Sequence, residues 1–104
     1  MVVDAAVATK IHALFFGAEQ EAALRIVETS PATERTRLQL AMLKNSDGDI
    51  LRLAQQAQLA EIDFRDVLAQ AEYPRQLRTP PGEITEQMQM EDRRDYETWL
   101  RGEE

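Results

Sequence analysis

His12 is the only imidazole in the chain, and there is no cysteine, so most nucleophilic and metal chemistry would have to be built on one side chain. A catalytic histidine needs an orienting partner and a proton to take or give within hydrogen-bond reach. Ser30, Ser46 and the threonines have no base near them in sequence, and His12 falls on the flank of a helical stripe. It reads as a structural or surface residue. Zinc favours Cys and His ligands, which leaves no ordinary zinc site to assemble. Asp47 and Asp49 invite a calcium reading, because an EF-hand loop places oxygen ligands at alternating positions, glycine at the sixth and glutamate at the twelfth. Counted from Asn45, those two positions hold Ile50 and Gln56, so the match fails twice and both aspartates read as helix-start residues. No P-loop, glycine-rich dinucleotide loop or G-x-S-x-G elbow is present. No catalytic residue, cofactor or metal is expected.

Two charged or aromatic groupings remain. Asp63, Arg65 and Asp66 form a dense cluster, but a cap, a favourable contact with the helix dipole and a solvated arginine account for it. In the tail, Tyr96, Trp99, Leu100 and Arg101 combine aromatic anchors with an arginine, the types enriched at binding hot spots. These four are the candidate partner-binding residues. The competing reading is that Trp99 closes the protein's own core.

The elements that must position these residues are helices. Val3, Val7, Ile11, Leu14 and Phe15 share a helical face over 4–16, with Asp4 as the cap and Gly17 as the stop. The segment 18–29 places Ala22, Ala23, Ile26 and Val27 on one side. Ser30 followed by Pro31 has the form of a cap and a first helical residue, opening a third helix that runs to about Lys44. Its middle, LQLAML, is apolar on more than one side and should be the most buried element. Asn45 is expected to take the left-handed turn that ends it.

The stretch 46–73 reads as a helical pair. Ser46 or Asp47 can cap its first half, with Asp49 also favouring that end, and Ile50, Leu53, Ala54 and Ala57 form the inward stripe. In the second half Phe64, Val67, Leu68 and Ala71 recur at i, i+3, i+4 and i+7. With Asp63 as cap, Ile62 and Val67 have the spacing of a hydrophobic staple. The turn at 59–62 has no glycine, so one bent helix is the alternative. Pro74 ends the pair. Three prolines and a glycine in 74–83 predict an extended linker, and a last helix is expected near 84–101.

One hundred and four residues suit one domain with a modest core. The expected organisation is a helical bundle over 1–74, a Pro-rich linker over 75–83, and a C-terminal helix within 84–104 that docks back or binds a partner. The fold class is all-α, with about five short helices before the linker. The net charge is −7 and is uneven: residues 1–46 sum to zero, 47–74 to −4 and 75–104 to −3. An acidic surface repels phosphate backbones, so neither nucleic acid nor anionic membrane is an expected partner. A helix over 63–73 with one arginine against Asp63, Asp66 and Glu72 is a poor DNA reader. The start MVVDAAVATK lacks a secretory n-region, which makes the cytoplasm the default location.

The run ERTRLQLAMLKNSDGDILRLAQQAQLAEIDFRDVLAQAEYP at 34–74 resembles a family of short bacterial proteins. Its members show an R-x-x-L-A-x-L-K segment, a Gly-Asp start and D-[YF]-R-D-V-L-x-x-A-E-[YF]-P. The ending DYETWL at 95–100 is similar to their D-x-Y-x-x-W-L pattern. That family has no assigned activity, so the resemblance implies a helical fold and no catalytic or binding residues. The function expected is a small acidic protein–protein interaction or accessory module with an unidentified protein partner. The alternative is a small-molecule-binding or carboxylate-using enzyme domain active as an oligomer. An acidic mimic that blocks a basic site also fits the charge.

Overall fold

A computed structural model describes residues 3–30 and 35–102. These residues form an all-α bundle: α1 Ala5–Leu14, α2 Ala18–Glu28, α3 Arg35–Ser46, α4 Ile50–Glu72, the single turn α5 Pro74–Leu77, a 3-10 turn Pro81–Glu83, and α6 Glu86–Arg101. No strand occurs among the described residues. Among the described residues no helix is long and apolar enough to cross a membrane.

Asp4 caps α1 as its residue type predicts, accepting a hydrogen bond from the Ala6 N–H at 2.9 Å. The helix ends at Leu14, before Gly17, because Phe15 is already extended (φ −126°, ψ 151°) and is fully buried in the core. Gly17 takes its positive φ of 59° at the entry to α2. The predicted start of α3 at Pro31 lies outside the described residues. Ser30 is buried, and its Oγ accepts from Gln39 Nε2 at 3.3 Å.

The LQLAML segment is the centre of the core, as its all-round apolarity implies: Leu38, Ala41, Met42 and Leu43 have no exposed surface. They pack with Val7, Val27, Leu53 and Val67 from α1, α2 and α4, and with Phe15 just beyond α1. Gln39 sits among them. Its amide donates at 2.8 Å to the carbonyl of Val27, one of the last-turn carbonyls that α2 itself cannot satisfy. Gln39→Leu keeps the volume and removes that bond, leaving the carbonyl with the Ser30 N–H at 3.1 Å. It is expected to cost about 0.5–1.5 kcal/mol in urea unfolding, and a gain in stability would mean that burying the amide costs more than its bond returns.

The turn after α3 differs from expectation in its details. Asn45 remains helical, and its side-chain amide donates to Gln56 Oε1 and to the Val67 carbonyl, both at 3.0 Å, tying the two halves of α4 to α3. The left-handed residues are Asp47 (φ 51°) and Gly48 (φ 77°). A side chain on Gly48 would place its Cβ 3.2 Å from the Leu14 carbonyl oxygen, so the turn lies directly against the end of α1. Asp49 is the cap of α4, accepting from the Leu51 and Arg52 N–H groups.

Helix α4 breaks at Asp63, whose φ of −156° and ψ of 94° are not helical. Asp63 restarts the helix as a cap, accepting from the Arg65 N–H at 3.1 Å. The bend brings Gln56 and Gln70 within 3.4 Å of each other. Both sequence readings, two helices and one bent helix, describe part of this geometry. The staple is absent: Ile62 is 82% exposed and covers nothing. Ile62→Lys is therefore expected to change stability by less than about 0.5 kcal/mol. A larger destabilisation in thermal melts would restore the packing role.

The proline-rich stretch is not extended throughout. Pro74 opens α5, where its missing N–H is no loss, and Pro81 opens the 3-10 turn.

Candidate functional site

His12 is exposed on the rim of a shallow apolar groove of about 420 Å³ between α1 and α2, lined also by Val3, Ile11 and Leu24. Asp47, Asp49 and Asp63 serve the turns and caps already described. No cluster able to hold a metal ion occurs among the described residues.

The four tail residues lie on α6, and α6 is docked. Thr85 caps it, accepting from the Met88 N–H at 3.2 Å, and Gly102 ends it in the left-handed conformation. Tyr96 and Trp99 stack with ring centroids 5.8 Å apart, and both rest half-buried against the core. The nearly buried Lys10 of α1 reaches across to the end of α6, donating to the Trp99 carbonyl with its ammonium 4.3 Å from the centre of the Trp99 ring. A cation there meets both the negative end of the helix dipole and an aromatic face. Lys44 of α3 lies 6.0 Å from the Tyr96 ring centre. Burial lowers its pKa, against the pull of Asp95 and Asp92. Leu100 is 39% exposed and Arg101 is exposed. Both border a crevice of about 200 Å³ against Ala6, Thr9 and Leu40.

The other attachment of α6 gave no signal in sequence. Asp92, with 1% of its side chain exposed, reaches the start of α5. One carboxylate oxygen accepts from the Arg75 N–H at 3.3 Å and Arg75 Nη1 at 3.1 Å. The other accepts from the Gln76 N–H at 3.2 Å and Gln76 Nε2 at 3.1 Å. Since Pro74 has no N–H and Leu77 donates back to the Tyr73 carbonyl at 3.0 Å, the first turn of α5 is fully paired. The guanidinium of Arg75 also meets Asp95 at 2.7 Å and Glu91 at 3.8 Å. The run EDRRD at 91–95 thus supplies the polar half of the attachment.

Beside the Asp92 attachment lies a groove of about 470 Å³ lined by Glu72, Tyr73, Gln76, Gln89, Asp92, Arg93, Tyr96 and Glu97. Tyr73 and Tyr96 contribute aromatic surface. Glu72 is committed to a bidentate pair with Arg37 at 2.6 and 2.7 Å. Burial, reinforced by Glu72 and opposed by Arg37, pushes the Tyr96 phenol well above its ordinary pKa, so it is neutral and able to donate. Arg93 and Glu97 stand exposed, in none of the ion pairs of the described residues. The groove therefore offers aromatic contact flanked by one free cation and one free anion, a surface suited to binding. Comparison with protein-family models, curated proteins and solved structures finds no match.

Proposed function

We propose that the protein is a small protein–protein interaction or accessory module that engages its partner through the α6 face. The observation that carries this reading is the concave, tyrosine-walled groove between α5 and α6, with Arg93 and Glu97 unpaired on its exposed side. Aromatic residues and arginine in a preformed concavity are the usual composition of a hot spot. Leu100 and Arg101 extend the same helix face toward α1. Tyr96 forms part of the groove wall, and Trp99 serves the surface indirectly, by fixing α6 to the bundle.

The carboxylate-using alternative would be favoured by a buried acid with a raised pKa facing a pocket. Asp92 is the buried acid of this groove, and its hydrogen bonds hold it below the ordinary range instead. That direction supports the binding reading. The resemblance over 34–74 is compatible with it and assigns no competing activity.

The test compares what the immobilised full chain retains from a lysate with what two groove variants retain. Arg93→Glu and Glu97→Arg lie on the surface and leave the packing intact, so a genuine partner should be lost from both and kept by Ile62→Lys. Equal retention by all four proteins, or none by the wild type, would reject the reading.

A further inference from the structure

The end of the bundle where α1 and α3 finish presents a second surface, sharing no residue with the α6 groove. Phe16 is 78% exposed and Leu51 is 72% exposed. Each is held by a buried neighbour. Phe15 is extended and buried, so the side chain of the following residue is directed away from the core. Leu51 occupies the first turn of α4, two residues before the buried Leu53. The turn before α4 touches the end of α1, because the Gly48 backbone abuts the Leu14 carbonyl, so the segments carrying Phe16 and Leu51 meet at the same end of the bundle. Ser46 Oγ donates to the Leu43 carbonyl at 2.6 Å and accepts from the Gly48 N–H at 3.3 Å, and Asp49 caps α4. The loops are thus fixed before any partner arrives, which lowers the ordering cost of binding.

The charges around this apolar pair are mostly of one sign. Within a few residues of them along the chain, Glu19, Asp47 and Asp49 are exposed against one exposed cation, Arg52. Glu19 and Asp47 form no ion pair among the described residues. Two copies meeting through this end would bring like charges together, which disfavours self-association. An anionic membrane would be repelled for the same reason.

We propose that this end is a docking surface for a cationic amphipathic segment of another protein, with Phe16 and Leu51 as apolar anchors and the carboxylates as the steering rim. This goes beyond the α6 reading and does not depend on it.

The experiment titrates the isotope-labelled full chain with a synthetic amphipathic Leu/Lys peptide and, separately, with a Leu/Glu peptide of the same pattern, following amide shifts by NMR. Saturable shifts centred on residues 16–19 and 47–52 are expected with Leu/Lys only. Affinity should fall about tenfold or more in Leu51→Ser, and also in Glu19→Gln combined with Asp47→Asn, which removes charge without touching apolar surface. Arg93→Glu and Glu97→Arg should leave the binding unchanged. The proposal is overturned by shifts centred on α6, by equal binding of the two peptides or by no saturable binding. Retained affinity in folded variants would overturn it too, as would concentration-dependent self-association that shields Phe16 and Leu51.

Discussion

Replacing Asp92 by alanine is expected to release α6 and unwind α5 together, at a cost of about 3 kcal/mol. The carboxylate is buried, accepts four hydrogen bonds and sits beside the Arg75 guanidinium. Its removal strands two backbone N–H groups of α5 and leaves Arg75 with only its more exposed acid partners. Asparagine would not rescue the contact, because one of its two polar atoms is a donor facing donors. Amide exchange reads the result: protection over 86–101 should collapse while α3 stays protected, and wild-type protection in α6 would sink the assignment. The same group sets an acid limit. Burial pushes the acid's pKa up, but the bonds from Gln76 and Arg75 outweigh it and hold the pKa below the ordinary value. A depressed acid contributes stability that is present above its unfolded-state pKa and lost as pH falls through the folded-state value. Fluorescence of Trp99, the only tryptophan, should therefore stay constant through the ordinary carboxylate range and change below it.

Leu43→Ala is expected to cost about 2–5 kcal/mol, and to do so globally. Leu43 has no exposed surface and lies in the part of α3 around which α1, α2 and α4 assemble. The cavity left behind has few ways to collapse, because the neighbouring Leu38, Met42 and Leu53 are also fully enclosed. Urea unfolding should show a lower midpoint with α3 and α6 lost together, unlike Asp92→Ala. A change under ~1 kcal/mol would mean that the centre of the core lies elsewhere.

The parts of the fold legible in the sequence are those decided by neighbours along the chain. Asp4 caps α1 because a short side-chain acceptor precedes an apolar repeat, and Asp63 breaks α4 for the same reason. LQLAML could be assigned to the centre because no face of it is polar. Misreadings arose where a distant segment decided. Asn45 has the residue type of a helix stop, yet its amide is used by Gln56 and Val67, and the left-handed conformation moves to Asp47 and Gly48. Ile62 has the spacing of a staple, but the bend at Asp63 turns it into solvent. The 75–83 stretch looks like a linker because α5 has no cap of its own, and its cap arrives from Asp92, at least sixteen residues away. Of the candidate site, Tyr96 and Trp99 stood out by residue type. Asp92, Arg75, Tyr73 and Lys10 did not, since each matters only through a partner remote in sequence.

The contact between Lys10 and Trp99 joins residues 89 positions apart. Closing a loop of that size carries a larger entropic penalty than pairing α3 with α4 across their short turn, and little is gained until both ends are already helical. In time, the assembly of α3 with α4 should therefore precede the arrival of α6. During refolding, most of the far-ultraviolet helical signal should return before Trp99 reports its final surroundings, and the surface carried by α6 is the last part of the molecule to come into existence.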